Sequence, residues 1–216
     1  MKKVLKNISF LILLLRICPI FGQDVDTRKV VVIDPGHGGK DFGAVGENGI
    51  MEKEVALEVA KQILILNNTL FDNEIDIYLT RYGDTLISLK DRSRLAKTVM
   101  ADVYMSLHCN ASPSFSNGIE VYVHNSKTGK SQVKKSIAVG LSVLNESTGN
   151  LGFKRRGIRF ANFQVLRETV IFCPAVLIEM GFVTNVDEAD YFLEPKNNSA
   201  MALAILIGLY NYLNVI

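Results

Sequence analysis

The sequence is poor in several residue types, and their scarcity limits what the protein can be. Its 216 residues contain no tryptophan, three histidines, three cysteines and five prolines, and the formal net charge is +2. Three cysteines exclude a disulfide framework of the kind that staples small secreted domains. A nearly neutral chain without a basic block gives no indication of nucleic-acid binding. No repeat or proline-rich linker divides the chain, so its length and its 48% hydrophobic content predict one globular domain with a buried core.

The apolar run near the N-terminus is too short to span a bilayer, and Arg16 interrupts it. Three lysines precede this run and the small residue Gly22 follows it, which is the layout of a cleaved secretory signal peptide. A buried first helix is the alternative. We therefore predict a signal peptide over residues 1–22, a short extension over 23–28 and a folded domain over 29–216. This predicts an exported protein without a membrane span in its mature chain.

Two cysteines, Cys109 and Cys173, remain after removal of the predicted signal peptide. Both lie in apolar stretches near strand ends, so they form either one disulfide or two buried free thiols. Neither has the CxxC spacing of a zinc knuckle.

Strand-like apolar runs alternate with helical segments along the predicted domain. This alternation predicts a single α/β domain, in which a twisted, largely parallel or mixed sheet carries helices on both faces. Segment 145–156 is predicted to be a surface loop. The predicted strands cover residues 30–33, 75–79, 103–107, 119–123, 163–166 and 175–178. The predicted helices cover residues 52–66, 88–100, 130–144, a short segment after 185, and 200–213.

Three of the predicted strands end on side chains suited to catalysis. The first leads through a glycine-rich turn to His37, the third ends at His108 and the sixth ends at Glu179. Open α/β sheets usually place their chemistry at the carboxyl ends of strands. His124 follows the fourth strand at its outer end, and we assign it a structural or surface role.

A carboxylate at the start of the first predicted helix completes a metal site. From Glu52 the same helix face continues through apolar residues, whereas from Glu54 it continues through polar ones. Glu52 therefore points to the core, where an unpaired carboxylate is costly and needs a cation. One zinc ion bound by two imidazoles and this carboxylate, with a fourth position open for water, satisfies that need. A salt bridge to a buried arginine such as Arg81 is the alternative.

Glu179 is the remaining inward-facing acid. A zinc hydrolase requires a general base that takes a proton from water and returns it to the leaving amine. A glutamate that does not bind the metal is suited to this role. The residues therefore predict His37, Glu52 and His108 as ligands of one zinc ion and Glu179 as the acid/base.

A basic cluster follows the third predicted helix. Its members are Lys154, Arg155, Arg156 and Arg159. The cluster is either a solvated loop or a contact for an anionic, extended substrate.

A longer series of motifs surrounds these residues in a fixed order. It consists of Ile33-Asp-Pro-Gly-His-Gly-Gly39, Glu52-Lys-Glu-Val55, Leu79-Thr-Arg81, Ser106-Leu-His-Cys-Asn110, Arg156-Gly157 and Pro174-Ala-Val-Leu-Ile-Glu-Met-Gly-Phe182. Together the motifs resemble the zinc-dependent N-acetylmuramoyl-L-alanine amidases of the type-3 amidase family, which are bacterial cell-wall hydrolases. The resemblance covers about residues 29–214.

The resemblance implies a substrate and a place in the cell. Carried over by position, the family pattern makes His37, Glu52 and His108 the zinc ligands and Glu179 the acid/base, in agreement with the interpretation of the residues themselves. The implied reaction is hydrolysis of the amide between N-acetylmuramic acid and L-alanine of peptidoglycan, in the periplasm or cell envelope. We expect a monomer. The alternatives are a zinc peptidase that cuts within stem peptides and a catalytically silent cell-wall-binding protein.

Segment 125–157 departs from the pattern of some family members. Those members carry a long helical insertion that plugs the zinc site until an activator protein removes it. Here the segment is short and is used up by one predicted helix and a basic loop. We therefore expect no self-inhibition, and an activator protein is possible but not required.

Overall fold

The computed structural model describes residues 28–113, 115–126 and 129–214, so the predicted signal peptide lies outside the described residues. Within these ranges no helix is both long and apolar enough to cross a membrane. The strands are β1 Lys29–Pro35, β2 Ile75–Leu79, β3 Val103–Asn110, β4 Ile119–Val123, β5 Arg155–Phe160 and β6 Ala175–Phe182. The helices are α1 Glu52–Phe71, α2 Leu89–Thr98, α3 Lys130–Leu151, α4 Gln164–Thr169, α5 Val186–Leu193 and α6 Pro195–Leu213.

The six strands form one mixed sheet in the order β2-β1-β3-β6-β4-β5. Every neighbouring pair is parallel except β4 and β6, which are antiparallel. The predicted single α/β domain with a largely parallel or mixed sheet is therefore confirmed. Because β1, β3 and β6 run in the same direction, their carboxyl ends meet at one edge of the sheet.

The two faces of the sheet are covered by helices of very different length. Helices α1, α3 and α6, of 20, 22 and 19 residues, pack on one face around Ile33 and Ile178. Helices α2 and α4, of 10 and 6 residues, pack on the other face around Tyr104. Helices on both faces are thus confirmed. The two short helices leave room on their face, and a cavity opens there over the carboxyl ends of β3 and β6.

The predicted strand at 163–166 is wrong, because these residues begin helix α4. Val165, Leu166 and Thr169 are the buried side chains of this helix, and their spacing of three and four residues is helical. A four-residue window is too short to show that period.

The predicted loop at 145–156 is also wrong. Helix α3 continues to Leu151, and Arg155 begins β5 at the edge of the sheet. Edge strands commonly carry charged side chains, which hinder pairing with other chains. Arginines that suggest a loop in the sequence therefore also suit this strand.

Both cysteines of the described chain are buried and free. Cys109 belongs to the hydrophobic cluster on one face of the sheet and Cys173 to the cluster on the other. Of the two alternatives predicted for these cysteines, the structure has the free thiols.

Candidate metal centre

The turn after β1 places His37 at the edge of the sheet through an unusual backbone conformation. His37 has a φ of 57°, in the left-handed region that costs a non-glycine residue about 1–2 kcal/mol. The amide of Gly36 donates to Leu107 O at 2.9 Å, which ties the turn to β3. The turn thereby brings the His37 imidazole next to the end of β3.

Two buried arginines hold the carbonyl groups of this turn. Arg92 donates to Pro35 O at 2.7 Å and to His37 O at 2.6 Å. Arg81 donates to Pro35 O at 3.0 Å and to Gly36 O at 2.8 Å. A guanidinium group presents its donors in a rigid planar arrangement. The two side chains therefore hold the turn in the conformation that His37 requires.

The side chains of His37, Glu52 and His108 converge at this edge. His37 Nε2 lies 3.0 Å from Glu52 Oε1, and His108 Nδ1 lies 2.7 Å from the same oxygen. One ligand atom of each residue lies within 4.8 Å of the other two. The structure thus brings together three predicted site residues into a group that can hold a metal ion.

Glu52 enters the group from the first turn of α1. Its side chain is buried whereas Glu54 is exposed, which confirms the predicted inward orientation. The amide of Cys109 donates to Oε1 at 3.1 Å, and the amide of Ala44 donates to Oε2 at 2.8 Å. Among the described residues, Arg81 pairs with carbonyl oxygens and not with Glu52, so the alternative salt bridge is not formed.

The charges of the group are set by its own hydrogen bonds. The hydrogen bond to Glu52 raises the pKa of His37 to about 9, against the effect of burial, and Asp41 Oδ1, 2.9 Å from Nδ1, contributes to the rise. Burial by itself raises the pKa of Glu52, but hydrogen bonds from His108 and His37 outweigh it and lower that pKa to about 2. A cation that binds here must therefore displace a proton from His37.

Glu179 lies next to the metal-binding group. It is the β6 partner of His108 on β3, so the two side chains lie on the same face of the sheet. Its Oε2 is buried and has no hydrogen-bond partner among the described residues. Burial raises the pKa of Glu179 to about 7. A carboxyl group with this pKa can both take and release a proton near neutral pH.

A cavity of about 960 Å³ opens over these four residues. Its size suits a ligand larger than a single amino acid. Leu86, Leu89 and Phe163 line it and are between 40% and 50% exposed, so its rim is partly apolar.

A polar network that was not predicted from the sequence lies under the site. Asp34 is 1% exposed and accepts hydrogen bonds from Thr80, Arg92, Tyr104 and Ser106. It thereby fixes Arg92, which holds the His37 turn. The available signal was an aspartate at the end of an otherwise apolar strand.

His124, the third histidine, lies outside the metal-binding group. Its Nδ1 lies 3.1 Å from the carbonyl oxygen of Ala161, the residue that follows β5. This position is compatible with the structural or surface role assigned from the sequence.

A methyl group on Gly36 would displace His108. A Cβ there would lie 2.4 Å from His108 Cε1, closer than real contacts allow. We expect Gly36→Ala to lower metal affinity by about 10- to 100-fold, the usual effect of disturbing a group that orients a ligand. Gly83→Ala is the matched control, because among the residues that the structure describes no atom beyond its chain neighbours lies within 4 Å of a Cβ there. Chelator competition measures both affinities, and equal affinity in the two variants would contradict the packing argument.

Known proteins resemble this chain in both sequence and fold. Residues 31–211 match the family model described as N-acetylmuramoyl-L-alanine amidase. The amidase LytC of Bacillus subtilis is 35% identical over 191 residues, and the match covers 85% of this chain and 35% of LytC. The probable cell wall amidase LytH of Staphylococcus aureus is 33% identical over 187 residues, covering 85% of this chain and 58% of LytH. The chain thus spans between a third and three fifths of the length of these two relatives.

Solved structures share the fold over most of the chain. An N-acetylmuramoyl-L-alanine amidase from Clostridium difficile superposes with a TM-score of 0.77 at 34% identity, covering 86% of this chain and 97% of that one. The amidase AmiC2 of Nostoc punctiforme superposes with a TM-score of 0.75 at 34% identity, covering 87% and 98%.

Proposed function

This chain belongs to the N-acetylmuramoyl-L-alanine amidase family, and we propose that it hydrolyses the amide bond between N-acetylmuramic acid and L-alanine in peptidoglycan. The observation that carries the proposal is the convergence of His37, Glu52 and His108 at a cavity that also contains Glu179. The names of the cell-wall relatives support the proposal of an exported protein that acts in the cell envelope.

We propose zinc as the metal, bound by His37 Nε2, His108 Nδ1 and one carboxylate oxygen of Glu52. Two imidazole nitrogens and a carboxylate are a donor set that suits zinc and leaves a position for substrate or water. The backbone amides that hold both oxygens of Glu52 fit such a site, because they orient the carboxylate before the ion arrives. When bound, zinc would polarise the scissile carbonyl and lower the pKa of the attacking water.

Proton transfer is the role proposed for Glu179. Its Oε2, which has no hydrogen-bond partner in the described part of the chain, is available to accept the proton of the attacking water. The same carboxyl group then donates that proton to the nitrogen of L-alanine as the amide bond breaks. Arg81 and Arg92 keep His37 in position, because they donate to carbonyl oxygens of the turn that carries it.

Digestion of purified peptidoglycan by the purified protein tests the reaction. We expect glycan strands free of peptide together with intact stem peptides, identified by mass spectrometry, and we expect chelation to stop the reaction and zinc to restore it. Cleaved stem peptides would indicate the rival zinc peptidase. A zinc-loaded protein that releases nothing would indicate the silent cell-wall-binding protein. The protein is assayed without an activator protein. The described part of segment 125–157 consists mainly of the core helix α3, so we expect no part of it to plug the zinc site.

Replacing each of the two glutamates in the first turn of α1 with alanine, one at a time, tests the assignment of Glu52 as a metal ligand. We expect Glu52→Ala to lose zinc and activity, because its oxygen contacts both imidazoles. Glu54→Ala should change stability by less than about 0.5 kcal/mol and leave zinc content unchanged, since that side chain is exposed. Zinc per chain and the melting temperature are measured for both variants. Retention of zinc by Glu52→Ala would show that another group is the third ligand.

A further inference from the structure

The edge strand β5 extends the sheet face that carries the cavity. Leu177 on β6, Tyr122 on β4 and Arg159 on β5 are successive partners in one row across the sheet. Leu177 lines the cavity, and the Tyr122 ring packs edge-on against Phe163, which also lines it. Because neighbouring strands lie about 4.8 Å apart, Arg159 is about 10 Å from β6 on the same face as Glu179.

Beside this end of the cavity a buried glutamate is paired with two arginines. Glu120 is 2% exposed, and its Oε2 accepts from Arg159 Nε at 2.7 Å and from Arg156 Nε at 2.9 Å. Its Oε1 accepts from Asn110 and from the Tyr122 hydroxyl. Glu120, Arg156 and Arg159 form what we call the Glu120 cluster, in which two guanidinium groups against one carboxylate give a net charge of +1. Such a charge attracts an anionic group of a bound substrate.

The two arginines differ in how many of their hydrogen-bond donors are already used. Arg156 also donates to Asn117 O at 3.3 Å, and its guanidinium lies 4.9 Å above the Phe182 ring. The side chain of Arg159 is 48% exposed, and no residue in the described ranges accepts a hydrogen bond from its two terminal amino groups. These groups form the edge of a guanidinium that binds a carboxylate through two parallel hydrogen bonds.

We propose that Arg159 binds the free α-carboxylate of the second stem-peptide residue, and so sets the preference of the enzyme among peptidoglycans. This inference rests on the proposed amidase function. The second residue is a D-glutamate joined through its side chain, and its α-carboxyl group is either free or amidated in different peptidoglycans. Two extended residues span about 7 Å, so a peptide that starts at Glu179 and crosses β4 brings this group within reach of the Arg159 side chain. The stem peptide then lies over β4 and β5.

A matched pair of muropeptides tests the proposal. The two substrates are identical except that the second residue is D-isoglutamate in one and D-isoglutamine in the other. We expect the wild-type enzyme to prefer the free acid by about tenfold in kcat/KM, mainly through KM, because the contact is made equally in the ground and transition states. A tenfold ratio corresponds to about 1.4 kcal/mol, within the range of hydrogen bonds between charged groups.

Substitutions in β5 test which residue causes the preference for the free acid. Arg159→Gln should bring the ratio to about one by weakening only the acidic substrate, and Arg159→Lys should keep part of the preference. Arg155→Gln removes the same charge from the same strand and is the control. Arg155 bonds to Asn145 of α3, away from the Glu120 cluster, so this variant should keep the wild-type ratio.

The outcomes separate this proposal from the function on which it rests. Equal rates of the wild-type enzyme on both substrates, or an unchanged ratio in Arg159→Gln, would overturn the role of Arg159. If Arg159 only neutralises Glu120, its loss lowers the melting temperature and both rates together, which also overturns the role. Failure of the zinc-loaded wild-type enzyme to cleave either substrate would instead contradict the amidase function. If Arg159→Gln does not fold, the wild-type ratio and Arg159→Lys still decide.

Discussion

Replacing either His37 or His108 with alanine should remove the bound metal and the hydrolytic activity together. Both imidazoles contact the same oxygen of Glu52, so the loss of either one removes one of the three side chains that surround the metal position. We expect metal affinity to fall by more than about 100-fold, beyond the effect of losing an outer partner of a ligand. His124→Ala is the matched control, because its ring lies outside the group and should leave metal content unchanged. Metal per chain and chelator competition measure these effects, and full occupancy in either variant would refute the ligand assignment.

The pH dependence of metal binding gives an independent check on His37. The pKa of His37 is raised to about 9, and only the neutral imidazole binds a metal ion. Affinity should therefore fall about tenfold for each pH unit below about 9, and metal binding should release about one proton per site in this range. Glu52 adds no proton competition there, because its pKa is lowered to about 2. Binding that is independent of pH between 7 and 9 would show that His37 is not a ligand.

Replacing Glu179 with glutamine should abolish proton transfer and leave the metal in place. Glutamine keeps the shape of the side chain but cannot accept a proton, so kcat should fall by about 10²- to 10⁴-fold. Zinc content and KM should stay near wild type, since Glu179 is not among the three side chains that form the metal-binding group. Loss of zinc would make Glu179 a ligand, and near-normal kcat would assign the base to another group.

Glu179→Gln should also change the stability of the folded chain, and the raised pKa of Glu179 determines the direction of that change. The pKa of Glu179 in the folded chain is raised to about 7 from an ordinary value of 4.5, because burial disfavours the charged form. The contribution of Glu179 to stability is therefore fully present below pH 4.5 and is lost as the pH rises through about 7. In the presence of chelator, Glu179→Gln should be more stable than wild type above pH 7, by at most about 3 kcal/mol, and should match it below pH 4.5. Thermal unfolding at both pH values measures the difference.

The catalytic rate should depend on the ionised form of Glu179, whereas stability is favoured by the protonated form. Only the ionised carboxylate can accept a proton, so kcat/KM of the wild-type enzyme should fall as the pH drops. A cation at the neighbouring group lowers the pKa of a carboxyl group, which places this decline at or below pH 7. The acidic decline due to Glu179 should be missing from the residual activity of Glu179→Gln.

Most of the fold followed from local patterns in the sequence. Apolar runs such as the one in β3 and the helical period of α1 are decided by neighbouring residues, and the structure has both elements. The error at α4 arose because six residues contain too few turns to show a helical period. The error at β5 arose because an edge strand needs few apolar residues, so its charged side chains resemble those of a loop.

The sequence by itself determined which side chains point inward at the candidate site. Helical phase separates the buried Glu52 from the exposed Glu54, and strand ends place His37 and His108 at one edge of the sheet. These features depend on the residue period of each element, which is a local property of the chain.

Only the tertiary structure decided how these elements act on one another. The sheet order places β6 between β3 and β4, which makes Glu179 a neighbour of both His108 and Glu120. Contacts between residues far apart in the chain fix Arg92 on the His37 turn and Arg159 on Glu120. No local pattern encodes such pairs, because they arise only when the sheet and its helices pack together. The distances, the raised pKa of Glu179 and the shape of the cavity all follow from that packing.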